Sequence, residues 1–194
     1  MGMYWYTKKL SKKLVLFAGL ALGLHACSSP EVEKKSEQKA QAYFDIPSFI
    51  QQEIDSLKQA NPTVNKTVTK DKEEETKDLK IRDWDNEFSS FKAIDLNKPA
   101  YAGFIELDTV DSVIEYNFTN PDLDLACVRI AFNEEGKVKM LSVDKHVKNT
   151  LYQTSEFLVY EKGNFYIVEK NQKVRVMGEN DYKVQGNLKA DKAL

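Results

Sequence analysis

Histidine and cysteine, the side chains that most often bind metals or act as nucleophiles, are scarce in this chain of 194 residues. There are two histidines, His25 and His146, and two cysteines, Cys27 and Cys127. A catalytic zinc ion needs several such ligands, and His146 lies in a charged stretch typical of a protein surface. Cys127 lies in the apolar run 125–128, which predicts a small buried side chain rather than a reactive thiol. The sequence therefore predicts no metal site, no cofactor and no disulfide framework.

Glycine-rich catalytic motifs are also missing. Only five of the eight glycines follow Cys27, and they form no nucleophile elbow, phosphate-binding loop or dinucleotide fingerprint. Residues 89–92 have the Ser-x-x-Lys spacing of penicillin-recognising enzymes, but the companion motifs of those enzymes are absent. The segment from Asn120 begins like a calcium loop, yet Leu125 and Ala131 stand where glycine and glutamate are required. We therefore expect no catalytic residue.

Long hydrophobic runs are absent too. Residues 14–24 form the longest apolar stretch, and its 11 residues fall short of the roughly 20 that a transmembrane helix needs. Four lysines precede this stretch, and Ala26 and Cys27 follow it closely. Basic, apolar and small residues in that order are typical of a secretory signal. The sequence therefore predicts a signal peptide over residues 1–26.

A basic surface is missing from the remainder of the chain. Four of the 28 basic residues and none of the 30 acidic residues precede Cys27, so the remainder has 24 basic and 30 acidic residues and a net charge of −6. This balance does not favour binding to nucleic acid. The remaining 168 residues suit one domain with its own hydrophobic core.

The residues that follow Cys27 predict a tether. Residues 28–42 contain no aromatic side chain and are rich in serine, glutamate, lysine and glutamine, so they cannot bury enough apolar surface to fold. We therefore divide the chain after the signal peptide into a flexible tether over 27–42, a single folded domain over 43–188 and a disordered C-terminal tail over 189–194.

Two amphipathic helices are predicted near the start of the domain. Asp45 is a candidate N-cap, and apolar residues between Ile46 and Leu57 recur at helical spacing until Asn61 and Pro62 end the helix. A second stripe at helical spacing consists of Trp84, Phe88, Phe91 and Ile94. Both apolar faces need a partner surface.

The rest of the domain has the two-residue period of β-strands. Residues 63–69 and 74–80 flank a polar turn and predict an exposed hairpin. From Tyr101 onward the period is two. Apolar and polar residues, first Ile114, Tyr116 and Phe118 with their neighbours, alternate in segments joined by short turns, predicted at Asn133–Gly136, Lys162–Asn164 and Gly178–Asn180. Short turns connect antiparallel neighbours. The predicted fold class is α+β: a meandering antiparallel sheet of about seven or eight strands with the two N-terminal amphipathic helices packed on one face.

The residues around the first cysteine resemble a known address signal. Leu24-His25-Ala26-Cys27 resembles the bacterial lipobox, although His25 departs from the small or aliphatic residue usual at its position. Together with the tether and the stretches 43–50 and 62–68, it resembles uncharacterised lipoproteins of Bacteroidota. The resemblance implies that Cys27 becomes the lipidated first residue and that its acyl chains hold the protein at a membrane.

The resemblance also implies a location in the cell envelope. Surface-exported lipoproteins of that group share a Lys-acidic-acidic signal soon after the cysteine, and residues 28–33 lack it. Ser28 also differs from the aspartate that retains many lipoproteins at the inner membrane. The implied location is the periplasmic face of the outer membrane.

Three short segments resemble the Asp-(Ser/Thr)-aliphatic pattern that Bacteroidota O-glycosylate. Thr109 and Ser112 are the better candidates, because their two segments share a predicted hairpin. Ser56 lies on a predicted helix, which favours a purely structural role.

Three functions from different classes remain. The first is a non-enzymatic structural or adaptor module that binds other envelope proteins. The second is a carrier or sensor of hydrophobic ligands on a curved antiparallel sheet, for which the 17 aromatic residues after Cys27 line a groove instead of forming a core. The third is an envelope hydrolase with a carboxylate pair assembled by folding. The oligomeric state is left open.

Overall fold

The computed structural model describes residues 43–175 and 178–189. The predicted signal peptide, Cys27 and the tether lie outside these ranges. The described helices are α1 Ile46–Ala60, α2 Trp84–Glu87 and α3 Ser89–Lys92, with a 3-10 turn at Pro99–Tyr101. The described strands are β1 Thr63–Lys70, β2 Glu73–Lys80, β3 Ile105–Val110, β4 Val113–Phe118, β5 Leu125–Phe132, β6 Val138–Lys148, β7 Tyr152–Glu161, β8 Phe165–Val174 and β9 Gly178–Lys189.

These strands form one antiparallel sheet in the order β2-β1-β9-β8-β7-β6-β5-β4-β3. Strands β3 to β9 follow one another as a meander, and the β1–β2 hairpin adds to its far side because β1 pairs with β9. The α+β class and the antiparallel sheet are confirmed, but the sheet has nine strands rather than seven or eight. The predicted hairpin around Ser112 implies a strand before it, but the sequence does not give the bounds of β3, because its alternation of apolar and polar residues is short.

Helix α1 forms where local signals predict it. Asp45 caps the helix, since its Oδ1 accepts a hydrogen bond from the Ser48 backbone N–H at 3.0 Å. Asn61 ends the helix in a left-handed conformation with φ 43°, and Pro62 follows it. The buried apolar residues of the helix are Ile46, Ile50, Ile54 and Leu57.

The second helical stripe differs from the prediction in two ways. The structure divides it into α2 and α3, because Phe88 between them has φ −99° and ψ 12° and leaves the helical conformation. Both segments follow the β1–β2 hairpin, as the sequence predicts for the second stripe, but only α1 lies N-terminal to the sheet in the described ranges, so the helices are not both N-terminal elements. The apolar stripe itself is buried, as the spacing predicts.

The ends of β9 also differ from the sequence expectation. Gly178 is the first residue of β9 and pairs with Val174, so the predicted turn at Gly178–Asn180 begins inside the strand. At the other end, Lys189 pairs with Thr63 of β1 and lies one residue beyond the predicted domain boundary.

The core lies between the helices and one face of the sheet, which we call the inner face. Its sheet side consists of residues that oppose one another across neighbouring strands, among them Tyr116, Val128, Val143, Leu158 and Val184. Their exposed fractions range from 0 to 6%. Alternation along the strands turns the intervening residues to the opposite, outer face.

Replacing Trp84 tests this arrangement. Trp84 is 2% exposed, and truncating a buried aromatic side chain costs about 3–5 kcal/mol, so we expect Trp84→Ala to lower the free energy of unfolding by that amount. The matched control is Glu74→Ala in the exposed strand β2, which we expect to change it by less than about 0.5 kcal/mol. Chemical denaturation measures both. Unchanged stability of Trp84→Ala would contradict the filled core.

Candidate functional site

The inner face carries a cluster of aromatic rings where a ligand chamber would lie. Phe88 is central: its ring centroid lies 5.2 Å from those of both Tyr160 and Tyr166 on the sheet. It also lies 5.6 Å from the ring of Trp84 and 5.3 Å from that of Phe91. Such distances are typical of packed aromatic pairs. The cluster therefore fills the space between helices and sheet.

A buried carboxylate fixes α1 to the sheet. Glu53 points from α1 toward β7 and is only 5% exposed. The Tyr160 hydroxyl donates a hydrogen bond to its Oε2 at 2.7 Å, and the Lys162 ammonium pairs with its Oε1. A buried carboxylate without partners is strongly unfavourable. The two sheet residues compensate the charge and hold α1 in one position.

The same three residue types recur under α2. Glu87 accepts a hydrogen bond from the Tyr166 hydroxyl at 2.6 Å, and the Lys66 ammonium lies 2.7 Å from its carboxylate. The side chains of both charged residues are mostly buried, with 20% of Lys66 and 13% of Glu87 exposed. The second helical segment is therefore bound to β1 and β8 through a paired charge.

A third polar contact holds α3. The Ser90 hydroxyl donates to Glu156 of β7 at 3.1 Å, and Lys145 of β6 lies 3.2 Å from the same carboxylate. No buried side-chain nitrogen or oxygen in the described ranges lacks a hydrogen-bond partner. The inner face thus presents no unsatisfied polar group for a ligand to bind.

A glycine makes room for Tyr166. Gly186 of β9 lies directly opposite Tyr166 of β8, and a Cβ atom built on it would lie 2.2 Å from the tyrosine ring. The ring therefore crosses β9 at a position where that strand has no side chain. This passage brings the Tyr166 hydroxyl to Glu87.

A groove lies at the end of β2 and is lined by described residues. Its volume is about 590 Å³, and its lining consists of residues 79–83, Asn86 and Glu87. It opens to solvent, and Glu87 is already engaged by Lys66 and Tyr166. The groove therefore brings no new set of reactive groups together.

The residues that the sequence analysis weighed as catalytic or metal-binding candidates lie in separate parts of the fold. Burial raises the pKa of the Cys127 thiol, which keeps it protonated and unreactive, and the cysteine is 7% exposed. His146 is exposed on β6. Ser89 of the Ser-x-x-Lys segment donates its hydroxyl to the Asn86 carbonyl at 2.8 Å. No group of three or more potential metal ligands occurs in the part of the chain that the structure describes.

Edge strand β3 exposes apolar side chains to solvent. The exposed fractions are 40% for Phe104, just before the strand, 49% for Leu107 and 62% for Val110. A long exposed apolar edge is a template for pairing with another chain, and proteins usually protect it. The opposite edge, β2, is protected in this way, because six of its eight residues are charged.

The backbone of β3 has groups free to pair. The Phe104 carbonyl accepts a hydrogen bond from the Thr119 N–H at 2.9 Å, on the β4 side. Bonding alternates along an antiparallel pair, so Ile105, Leu107 and Thr109 direct their N–H and C=O groups away from the sheet. We call this surface, residues 104–110, the β3 edge. In the sequence, the pattern that indicates a strand at the β3 edge is the short alternation of Ile105 and Leu107 with the acidic residues Glu106 and Asp108.

The candidate glycosylation residues lie at this same end of the sheet. Thr109 belongs to β3, and Ser112 lies in the two-residue turn between β3 and β4, next to Asp111 with φ 53°. Both are exposed, and the predicted hairpin is confirmed, while the modification itself stays a prediction. Ser56 donates its hydroxyl to the Gln52 carbonyl within α1 at 2.8 Å, in agreement with a structural role.

Among the described helices, none has both the length and the apolar character needed to cross a membrane. Comparisons with protein-family models, curated proteins and solved structures found no significant match. The function is therefore argued from the residues and their geometry.

Replacing Gly186 tests the passage of Tyr166 across β9. We expect Gly186→Ala to destabilise the protein by about 1–3 kcal/mol, because the added methyl group overlaps the tyrosine ring. The same change should cost less in a Tyr166→Ala background, where the ring is gone. A double-mutant cycle from denaturation curves measures this coupling, and additive effects would contradict the close approach.

Two tyrosines predict a loss of stability at alkaline pH. Burial, followed by the hydrogen bond to a glutamate, raises the pKa of Tyr160 and of Tyr166 above the ordinary value of about 10. The folded state keeps these protons while the unfolded state releases them, so stability is retained below about pH 10 and falls above it. Denaturation midpoints across this range should fall less steeply for Tyr160→Phe. The exposed-residue control, Tyr182→Phe, should keep the wild-type slope; equal slopes in both variants would refute the prediction.

Proposed function

We propose that this protein is a membrane-tethered, non-enzymatic adaptor module of the cell envelope, which binds a protein partner through the β3 edge. The observation that carries the proposal is the contrast between the inner face of the sheet and the β3 edge. The inner face is filled and its polar groups are satisfied, whereas the β3 edge exposes apolar side chains beside unpaired backbone groups.

The filled inner face supports an adaptor rather than a carrier. A carrier needs an apolar chamber of roughly 300–1,000 Å³ for its ligand. Here Trp84, Phe88 and Tyr166 occupy the space between helices and sheet, and two buried glutamates hold the helices in place. Opening a chamber would require breaking both charge-paired contacts.

The carrier remains the second candidate because helices on one face of an open antiparallel sheet are the outline that such proteins use. Fold alone does not establish function. The hydrolase hypothesis has less support, because the buried carboxylates Glu53 and Glu87 are each already paired with lysine and tyrosine.

The proposed location follows from the sequence. The tripartite segment before Cys27 and the lipobox-like residues 24–27 support cleavage and lipidation at that cysteine. A tether over 27–42 would keep the domain within about 50 Å of the membrane. We place the protein at the periplasmic face of the outer membrane, where its partners would be other envelope proteins.

Replacing each cysteine separately tests the anchor. We expect Cys27→Ser to move the protein from the membrane fraction to the soluble fraction, or to stop its processing, because the acyl acceptor is lost. The matched control is Cys127→Ala, which changes the buried cysteine of β5 and should leave the protein in the membrane fraction. Fractionation of native cells with mass spectrometry of the N-terminal peptide measures both. A soluble, unacylated wild-type protein would refute the lipoprotein proposal.

Mass spectrometry also distinguishes the adaptor from the carrier. Native mass spectrometry of the domain from residue 43 onward, purified from its own periplasm, should show no bound lipid. A fluorescent fatty acid should likewise fail to saturate it. A stoichiometric co-purifying lipid that the probe displaces would favour the carrier.

A further inference from the structure

The β3 edge has the hydrogen-bonding geometry to accept another strand. Ile105 and Leu107 direct both backbone groups outward, and Thr109 directs its carbonyl outward. The Thr109 N–H is held by its neighbour, because Asp108 Oδ1 accepts a hydrogen bond from it at 2.8 Å. The free groups therefore extend over roughly 14 Å of strand.

The two faces of the β3 edge differ in chemistry. On the inner face, Leu107 opposes Tyr116, which belongs to the buried core. An added strand with an apolar residue there would extend that core over a side chain that is 49% exposed. On the outer face, Glu106 and Asp108 alternate with these residues along the strand.

The two outer-face carboxylates have no cation partner in the described ranges. Their nearest cross-strand neighbours are Asn117 and Glu115, and Glu115 is already paired with Arg129. A partner strand with lysine or arginine at alternate positions would supply the missing charges. Cross-strand pairs of opposite charge stabilise a sheet, and like charges directly opposite each other destabilise it.

Charge argues against a second copy of this chain as the occupant. An antiparallel two-fold pairing that keeps the inner face continuous must place one residue of β3 opposite itself. Centred on Leu107, it would oppose Glu106 with the second copy's Asp108; centred on either acidic residue, it would oppose identical carboxylates. These three registers pair the most residues of the β3 edge, and each brings like charges together.

From these observations we propose that the β3 edge binds an extended segment of a partner protein as a tenth, antiparallel strand. The segment alternates apolar residues, which cover Leu107 on the inner face, with basic residues, which pair with Glu106 and Asp108 on the outer face. Backbone hydrogen bonds supply affinity, and the alternating side chains supply specificity. This inference rests on the proposed adaptor role and names the chemistry of its partner.

The test uses the full-length protein in detergent and synthetic peptides about eight residues long. One peptide alternates valine with lysine, a second alternates valine with glutamate, and a third contains lysine alone. We expect binding of the valine–lysine peptide, with slower hydrogen exchange over residues 104–110. The other two peptides should bind at least about tenfold more weakly.

Charge reversal at each edge provides the matched variants. The double variant Glu106→Lys, Asp108→Lys should reverse the preference, so that the valine–glutamate peptide binds and the valine–lysine peptide does not. Glu74→Lys, Asp78→Lys makes the same change in net charge on the outer face of β2 and should leave the preference unchanged. Because Asp78 is paired with Lys189 and Asp108 accepts a hydrogen bond from the Thr109 N–H, circular dichroism of each variant checks that it is folded before binding is compared.

A backbone variant tests the strand addition itself. Leu107→Pro removes an outward N–H of β3 and should abolish binding, while Thr76→Pro removes an outward N–H of β2 and should not. Equal binding of the lysine-only peptide, or protection at β2, would overturn the inference. So would concentration-dependent protection of β3 without peptide, which would identify a second copy as the occupant. None of these results bears on the anchor, which the Cys27→Ser fractionation tests separately.

Discussion

Two carboxylates that leave water on folding determine how the helices lie on the sheet. Glu53 and Glu87 approach the sheet from different helical segments, and each meets a tyrosine hydroxyl and a lysine ammonium there. A shifted helix would separate each carboxylate from its partners in a place with little access to water, which is unfavourable, so a sliding or rotated helix is disfavoured. The aromatic cluster then packs in the space that these contacts define. The absence of a side chain at Gly186 allows the second contact, because the Tyr166 ring passes over that residue.

With the inner face filled, the proposed adaptor role turns on the edges of the sheet. An open sheet has two edges, and their residues differ sharply. The β1–β2 hairpin covers the side of β9 and ends the sheet with a charged strand, which disfavours pairing with other chains. The β3 edge ends the sheet with apolar side chains and only two carboxylates. This difference between the two edges is the physical basis of the adaptor proposal.

The sequence predictions succeeded where the stabilising interactions join residues that are close together in the chain. Helix α1 and its cap were predictable because Asp45 and Ser48 are neighbours in the chain, and so was the β1–β2 hairpin. The division of the second helix at Phe88 was not, because the helical spacing continues through that residue. The hairpin around Ser112 was predicted, but the bounds of β3 were not, because an edge strand has little burial and so a weak apolar alternation. The role of β3 as an exposed edge was therefore not predicted.

The sequence by itself determined the types of most elements and the positions of their turns, because capping, periodicity and turn chemistry act within a few residues of each other. It also carries the predicted signal and lipidation residue, which are local patterns as well. Only the tertiary structure decided which strands became edges, since β1 pairs with β9 across more than half the chain. It alone decided that the inner face is filled, because Glu53 meets Tyr160 through a contact that spans 107 positions. No local periodicity encodes such pairs, for they depend on the order in which the strands assemble.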